Sequence, residues 1–238
     1  MGWLGSLDLV FRFKRFNVAD DRSTMKVGTD AVLLGAWADA RNTKSILDIG
    51  TGCGVIALML AQRTDAVIDA VEPDVGSASQ AADNFTGSPF ASRLRLHHTT
   101  IQEFIHDPYD LIVSNPPFFS KSLLPPATHR KTARHTETLS FGDLLTSVKR
   151  LLNNNGRFAV ILPFAEGNEF RAKAEESGLS CVRALAFYTR KGKPQERWLF
   201  EFSFKNTPTR KEELVLYGDA NQWSEEYRRL TADFYLSV

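Results

Sequence analysis

The tetrapeptide Asn115-Pro116-Pro117-Phe118 combines residue types that could hold a planar amine. The Asn115 side-chain oxygen and the Pro116 carbonyl are two acceptors for the hydrogens of an NH2 group, and the Phe118 ring offers a flat stacking surface. Two consecutive prolines have fixed φ and donate no backbone hydrogen bond, so the turn is rigid and extended. The alternative is a turn that merely ends a strand and carries a core aromatic residue. The tetrapeptide alone does not separate the two.

A second set of candidate residues lies upstream, in the turn Gly50-Thr51-Gly52-Cys53-Gly54. Glycine at every second position lets the backbone approach a ligand closely and adopt unusual φ values. Val55 stands where a dinucleotide-binding turn needs glycine, and no Lys-Ser/Thr pair follows, so neither that site nor a P-loop is indicated. Glu72, about twenty residues further on, is placed to accept hydrogen bonds from a ribose. This pattern suits a ligand without a pyrophosphate.

Both turns must follow strands that end beside each other. An apolar run at residues 110–113 precedes the Asn-Pro-Pro-Phe turn, and another at 45–49 precedes the glycine turn. In a doubly wound parallel sheet, ligands bind at the carboxyl ends of the strands. Helical and strand patterns alternate along the chain, which predicts an α/β fold with helices on both faces of a mostly parallel, seven-stranded twisted sheet. The seven predicted strands are 45–49, 66–71, 94–97, 109–113, 157–162, 181–188 and 198–204.

The helical patterns fall between these strands. One begins near Thr29, a candidate N-cap, and the last is an amphipathic helix at 224–236. The others are predicted at 55–63, 75–85, 141–152 and 168–177. The run 153–156 is predicted to end the helix at 141–152. Residues 1–27 are predicted to form an arm of alternating aromatic and basic residues with a short hairpin. Residues 28–238 would form the catalytic core, and we expect a single domain.

Composition excludes several classes of protein. The formal net charge of the 238 residues is +1, so binding to nucleic acid would depend on local basic patches. Cys53 and Cys181 are far apart, which indicates neither a cysteine-rich zinc site nor a disulfide framework. We expect no metal, because His129 and His135 have no ligand partners at useful spacing. No membrane span or signal peptide is indicated, and the cysteine usage fits a reducing cytosol, so a cytoplasmic protein is expected. A monomer is expected as well.

The glycine turn and Glu72 resemble the first two motifs of the class I S-adenosylmethionine-dependent methyltransferases. The resemblance implies a Rossmann-like fold with S-adenosyl-L-methionine as cofactor. It also implies that Asp48, Gly50, Gly52 and Gly54 form the methionine and ribose side of the pocket and that Glu72 binds the ribose hydroxyls. Many members carry an acid after the third core strand, where this chain has Thr100 and Ile101. Thr100 is then a candidate acceptor for the adenine amino group, and Ile101 a candidate contact for the adenine face.

Within that class, the Asn115-Pro-Pro-Phe118 turn resembles the motif of amino-methylating members, in which it carries the catalytic residues. Adenine-N6, guanine-N2 and peptide-glutamine methyltransferases share this motif. Residues 16–18 and 25–37 narrow the choice, because they resemble bacterial N6-methyltransferases that modify adenosine 37 of a valine tRNA. The resemblance extends to residues 58–63, 114–119, 217–218, 224–227 and 232–236. A non-catalytic RNA-binding protein is an alternative of a different kind, and the intact motifs argue against it.

The second resemblance implies further site residues. Lys26, Thr29 and Asp30 would border the cofactor pocket together with Asn115, although Lys26 could equally be a solvated lysine before a helix. Local basic residues are candidate contacts for tRNA phosphates. They are Arg130, Lys131 and Arg134 after the Asn-Pro-Pro-Phe turn, and Lys191 and Lys193 in a turn between the last two predicted strands.

Overall fold

The computed structural model describes residues 10–117, 139–218 and 221–236. Within these ranges the strands are β1 (Val10–Arg12), β2 (Asn17–Ala19), β3 (Ser45–Ile49), β4 (Val67–Val71), β5 (Leu94–His97), β6 (Tyr109–Ser114), β7 (Leu152–Pro163), β8 (Ser180–Arg190), β9 (Arg197–Ser203) and β10 (Arg210–Tyr217). The helices are α1 (Thr29–Trp37), α2 (Val55–Arg63), α3 (Val75–Thr86), α4 (Phe141–Leu151), α5 (Phe164–Glu176) and α6 (Glu225–Thr231). None of these helices has the length and apolar character needed to cross a bilayer.

The central sheet has the strand order β10-β8-β9-β7-β6-β3-β4-β5. Only β9 runs antiparallel to its neighbours among these eight strands. The carboxyl ends of the other seven strands and the start of β9 therefore lie along one edge, which we call the carboxyl edge. The predicted mostly parallel α/β sheet is confirmed.

The sheet has eight strands rather than the predicted seven. The additional strand, β10, pairs in parallel with β8 at the edge of the sheet. Its first four residues are the charged run Arg210-Lys211-Glu212-Glu213, and the strand buries only Leu214 and Leu216. An edge strand that begins with four charged residues lacks the apolar alternation by which strands are recognised.

Two hydrophobic clusters cover the two faces of the sheet. Buried residues of α1, α2 and α6 form one cluster with the hairpin, and those of α4 and α5 form the other. The helix at 55–63 is confirmed and buries every residue from Val55 to Ala61. Since both faces are covered, the central strands are apolar on both sides.

The described part of the N-terminal arm packs on the first cluster. Its predicted hairpin is formed by β1 and β2. Phe13, Phe16 and Val18 are at most 4% exposed, and the Phe13 and Phe16 rings stack with centroids 4.6 Å apart. These aromatic residues of the arm therefore share a hydrophobic core with α1 and α2.

Several element boundaries differ from the predicted ones. Helix α1 has Gly28 rather than Thr29 at its N-cap, without a side-chain hydrogen bond. The expected helix stop at 153–156 lies inside β7, because Leu152 already pairs with Tyr109 and Asn153 Nδ2 donates to Asp110 Oδ1. Helix α5 begins at Phe164, directly after Pro163, and α6 occupies only part of 224–236.

Candidate active site at the carboxyl edge

The glycine turn follows β3 and is fastened to the end of β4. The Gly50 and Thr51 amides donate to the Val71 carbonyl at 2.9 and 3.2 Å. Gly50, Gly52 and Gly54 have φ values of +71°, +57° and +86°. Side chains with a Cβ rarely adopt such left-handed conformations, so the turn requires glycine at these positions.

Gly50 and Gly54 serve different purposes in this turn. A Cβ on Gly54 would lie 2.4 Å from Phe85 Cε1, so Gly54 allows α3 to pack closely. A Cβ on Gly50 would meet no atom of the described residues within 4 Å. Gly50 therefore faces open space at the carboxyl edge, where a ligand can lie directly against the backbone.

Glu72 follows β4 and is hydrogen-bonded to this turn. Its Oε2 accepts from the Gly52 amide and its Oε1 from the Asp74 amide, both at 2.9 Å. Burial raises the pKa of Glu72, and these two hydrogen bonds oppose the effect. Each carboxylate oxygen keeps a further lone pair, so Glu72 can accept hydroxyl hydrogens while it holds the turn. The sequence did not predict that Glu72 also braces the glycine turn.

Asp48 lies beneath the turn and is fully buried. Its Oδ2 accepts from the Thr51 hydroxyl at 2.6 Å. In the part of the chain that the structure describes, Oδ1 makes no hydrogen bond of normal geometry, although the Ala57 amide favours the charged form. Burial raises the pKa of Asp48 to about 7, and the Thr51 hydrogen bond opposes the effect. Because Asp48 has no exposed surface, we infer that it supports the glycine turn through its hydrogen bond with Thr51.

The segment before α1 passes over the glycine turn. Ser23 Oγ would lie 3.5 Å from a Cβ at Gly52, which places Ser23 beside the glycine turn; sequence reasoning did not single out Ser23. Lys26 is exposed, and its Nζ donates to the Asp20 carbonyl at 2.5 Å. Thr29 is an exposed residue at the start of α1.

Asp30, the other residue predicted near the start of α1, forms an ion pair with Arg197. Arg197 Nε lies 2.9 Å from Asp30 Oδ2, and Arg197 is the first residue of β9. The start of α1 is therefore joined to the far half of the sheet. The partners are separated by 167 positions in the sequence, so no local pattern predicts this pair.

Thr100 and Ile101 follow β5, the strand beyond β4. The Thr100 hydroxyl donates to Glu103 Oε2 at 3.1 Å and also lies 3.4 Å from the Glu103 amide. Ile101 is 4% exposed and packs in the same hydrophobic cluster as Ile49 and Val71. Both residues thus lie at the end of the sheet where the predicted adenine side of the pocket begins.

The Asn-Pro-Pro turn leaves the sheet directly beside the glycine turn. Ser114 pairs in register with Ile49, and its hydroxyl donates to the Ile49 carbonyl at 3.0 Å. Asn115 and Gly50 are the residues that directly follow these two paired positions, at the ends of β6 and β3. Asn115 Oδ1 is buried and has no hydrogen-bond partner among the described residues. A buried acceptor without a partner is costly, so this atom is suited to a ligand that supplies an N–H.

The remaining predicted residues divide into two groups. Lys191 and Lys193 are exposed in the turn between β8 and β9, at the carboxyl edge. Phe118, Arg130, Lys131 and Arg134, like His129 and His135, lie outside the described residues. In the described ranges no group of three His, Cys, Asp or Glu residues is arranged to hold a metal ion.

The strand order, the glycine turn, the acid after β4 and the Asn-Pro-Pro turn after β6 together define a class I methyltransferase. Residues 23–163 match the family model described as "Methyltransferase small domain". Among solved structures, a predicted O-methyltransferase from Agrobacterium tumefaciens aligns with a TM-score of 0.66 at 17% identity, over 86% of this chain and 96% of that chain. A glycopeptide N-methyltransferase in complex with S-adenosyl-L-methionine aligns with a TM-score of 0.57 at 11% identity, over 77% of this chain and 96% of that chain. These two structures share the fold.

Closer relatives identify the family. A tRNA1(Val) (adenine(37)-N6)-methyltransferase from Bacteroides fragilis is 43% identical over 96% of this chain and 98% of its own length. Proteins of the same name from Parabacteroides distasonis and Trichodesmium erythraeum are each 44% identical, over 96% and 95% of this chain and 98% and 97% of their own lengths. The chain belongs to the family of tRNA1(Val) (adenine(37)-N6)-methyltransferases.

Proposed function

We propose that this protein transfers a methyl group from S-adenosyl-L-methionine to the exocyclic N6 of adenine 37 in a valine tRNA. The observation that carries the proposal is the buried Asn115 Oδ1, which lies directly beside the glycine turn and has no hydrogen-bond partner among the described residues. An acceptor at that place complements an amino group presented next to the cofactor pocket. Family membership supplies the identity of the amine and of the RNA.

The residues at the carboxyl edge fit the cofactor. Gly50 leaves open space against the backbone, and Glu72 presents carboxylate oxygens to a ribose. When bound, S-adenosyl-L-methionine supplies a methyl group on a positively charged sulfur, which makes that methyl group electrophilic. The glycine turn and Glu72 would hold the nucleoside part of the cofactor. The target adenine of the tRNA can then approach the methyl group from the Asn115 side.

Asn115 and Pro116 supply the interactions that the acceptor needs. The N6 amine of adenine is a poor nucleophile, because its lone pair is shared with the ring. Hydrogen bonds from N6 to Asn115 Oδ1 and to the Pro116 carbonyl orient the amine and draw its N–H bonds toward the acceptors. The bond from N6 to the methyl carbon would form as the methyl–sulfur bond of the bound cofactor breaks, with the thioether S-adenosyl-L-homocysteine as the leaving product. One N6 hydrogen would pass to solvent as a proton, and the other would remain hydrogen-bonded. Positioning and local electrostatics therefore account for the catalysis without a titrating general base.

The target adenine must leave its stack to reach Asn115, because Asn115 Oδ1 is buried at the end of a strand. Single-stranded loops present such bases at low cost, which fits a position in an anticodon loop. The proposed tRNA substrate supports a reaction in the cytoplasm. We expect the protein to act there as a monomer.

Asn115→Ala tests whether Asn115 Oδ1 is the hydrogen-bond acceptor for the target amine. We expect methyl transfer to tRNA to be lost while the dissociation constant for S-adenosyl-L-methionine, measured by calorimetry, stays nearly unchanged. Asn206→Ala is the matched control, because Asn206 is exposed in the connection between β9 and β10 at the opposite edge. Wild-type turnover in Asn115→Ala would contradict the proposal. A variant that no longer binds S-adenosyl-L-methionine would also contradict it, since the main role of Asn115 would then be to bind the cofactor.

A further inference from the structure

The strand order divides the carboxyl edge into two halves on either side of Asn115. The ends of β3, β4 and β5 lie on one side and carry the glycine turn and Glu72. The ends of β7 and β8 and the start of β9 lie on the other side. Because the methyl donor occupies the first half, RNA that presents an adenine to Asn115 must extend over the second half.

A large aromatic side chain lies exposed on this second half. Phe164 is the first residue after β7 and is 44% exposed. Its ring lies over Trp198 with centroids 6.3 Å apart and an interplanar angle of 21°. Trp198 in turn stacks on Phe200 at 5.2 Å and 20°. Three parallel rings thus lead from the buried core to the surface, and the outer face of the series is Phe164.

This aromatic stack is held in place by hydrogen bonds and close packing. The Phe164 amide donates to the Glu196 carbonyl at 3.0 Å, and Trp198 Nε1 donates to Asn168 Oδ1 at 3.0 Å. A Cβ on Gly167 would lie 2.9 Å from Trp198 Cδ1, so glycine lets α5 approach the indole. A ring that is already fixed loses little conformational freedom when another ring stacks on it.

Basic residues lie in the turn that leads to β9, the strand that carries Trp198. Lys191 and Lys193 are exposed in this turn. The Arg190 guanidinium lies 5.2 Å from the centre of the Tyr217 ring at the base of that turn. An aromatic face combined with basic side chains is the arrangement with which proteins bind single-stranded nucleic acid, through base stacking and phosphate contacts.

The spacing matches a nucleotide beside the target adenine. Ser114 pairs with Val160, so Asn115 is level with Ile161 of β7. Phe164 lies three residues further along the chain, which is about 10 Å in the strand direction. Phe164 is therefore too far away to stack on the methylated base itself and near enough to contact its neighbour in the loop.

We propose that Phe164 stacks on an unpaired RNA base next to the methylated adenine, while Lys191 and Lys193 contact the adjoining phosphates. The inference rests on the proposed function and identifies Phe164 as a residue that binds and positions the RNA. Its effect is confined to RNA binding, because the cofactor pocket lies on the other half of the edge.

Steady-state methylation of an anticodon stem-loop tests this proposal. For Phe164→Ala we expect the KM for the stem-loop to rise about 5- to 150-fold, the range for loss of one stacked base, with the dissociation constant for S-adenosyl-L-methionine unchanged. Phe164→Tyr keeps the flat ring and should retain a KM near wild type, whereas Phe164→Leu keeps the apolar character and should behave like the alanine variant. Ile105→Ala is the control, because Ile105 is 87% exposed shortly before the start of β6, toward the opposite edge.

Stem-loops with a single abasic nucleotide locate the stacked base. We expect one abasic RNA, at a position beside the target adenine, to be methylated equally well by wild-type enzyme and by Phe164→Ala. A wild-type KM in Phe164→Ala would overturn the inference, and so would a penalty that persists with every abasic RNA. If wild-type enzyme methylates no RNA at all, the proposed function fails instead, so the two failures are distinguishable.

Discussion

The buried Asp48 predicts a specific dependence of stability on pH. Burial raises its pKa from 3.8 to about 7 in the folded protein. The folded state therefore keeps a proton that the unfolded chain loses at lower pH. The resulting stabilisation is fully present below pH 3.8 and is lost as the pH rises through about 7. A shift of about three pKa units corresponds to about 4 kcal/mol, of which about 2.5 kcal/mol would be lost between pH 5 and pH 8.

Asp48→Asn isolates this contribution, because asparagine does not titrate. The free energy of unfolding would be measured by urea denaturation of both proteins, without cofactor, at intervals from pH 5 to pH 8. We expect the wild-type value minus the variant value to fall by about 2.5 kcal/mol over this range. Thr51→Val removes a hydrogen bond that favours the carboxylate, and it should make the fall larger. A difference that stays constant within about 0.5 kcal/mol would refute the reasoning, because the shift corresponds to a much larger change.

Three further predictions concern the turn, the ribose contact and the RNA. Gly54→Ala should lower the free energy of unfolding by about 2 to 5 kcal/mol and Gly50→Ala by about 1 to 2 kcal/mol, measured by urea denaturation, since only the first adds a steric clash to the strain of positive φ. Glu72→Gln should raise the dissociation constant for S-adenosyl-L-methionine about 10- to 150-fold in calorimetry; an unchanged value would remove Glu72 from the ribose site. Replacing both Lys191 and Lys193 by Gln should reduce the slope of log tRNA affinity against log salt by about 1.4, and an equal slope would exclude phosphate contacts by these lysines.

The sequence predicted the centre of the sheet and the strand ends that carry the glycine turn and Glu72, because their signals are local. Strands β3, β4 and β6 are short apolar runs, and the glycine turn and Glu72 come directly after two of them. A local pattern cannot predict contacts that form only when distant strands pair. The ion pair of Asp30 with Arg197 joins α1 to β9 and depends on the final strand order.

Phe164 illustrates the same limit for the proposed RNA surface. In the sequence it is one phenylalanine among 17, next to a proline at the end of a strand. Its exposure follows from the packing of α5 on Trp198, which requires Gly167. Strand β10 was missed for a related reason, because its pairing with β8 supplies the stability that its charged first half lacks.

The central claim is that the group that accepts the methyl is the N6 amine of adenine in tRNA. The most direct measurement incubates the protein with labelled S-adenosyl-L-methionine and total tRNA from a strain that lacks the enzyme, and then identifies the labelled nucleoside after digestion. We predict label in N6-methyladenosine, and none when Asn115→Ala replaces the wild type. Label in N2-methylguanosine, or label found only in protein, would contradict the account.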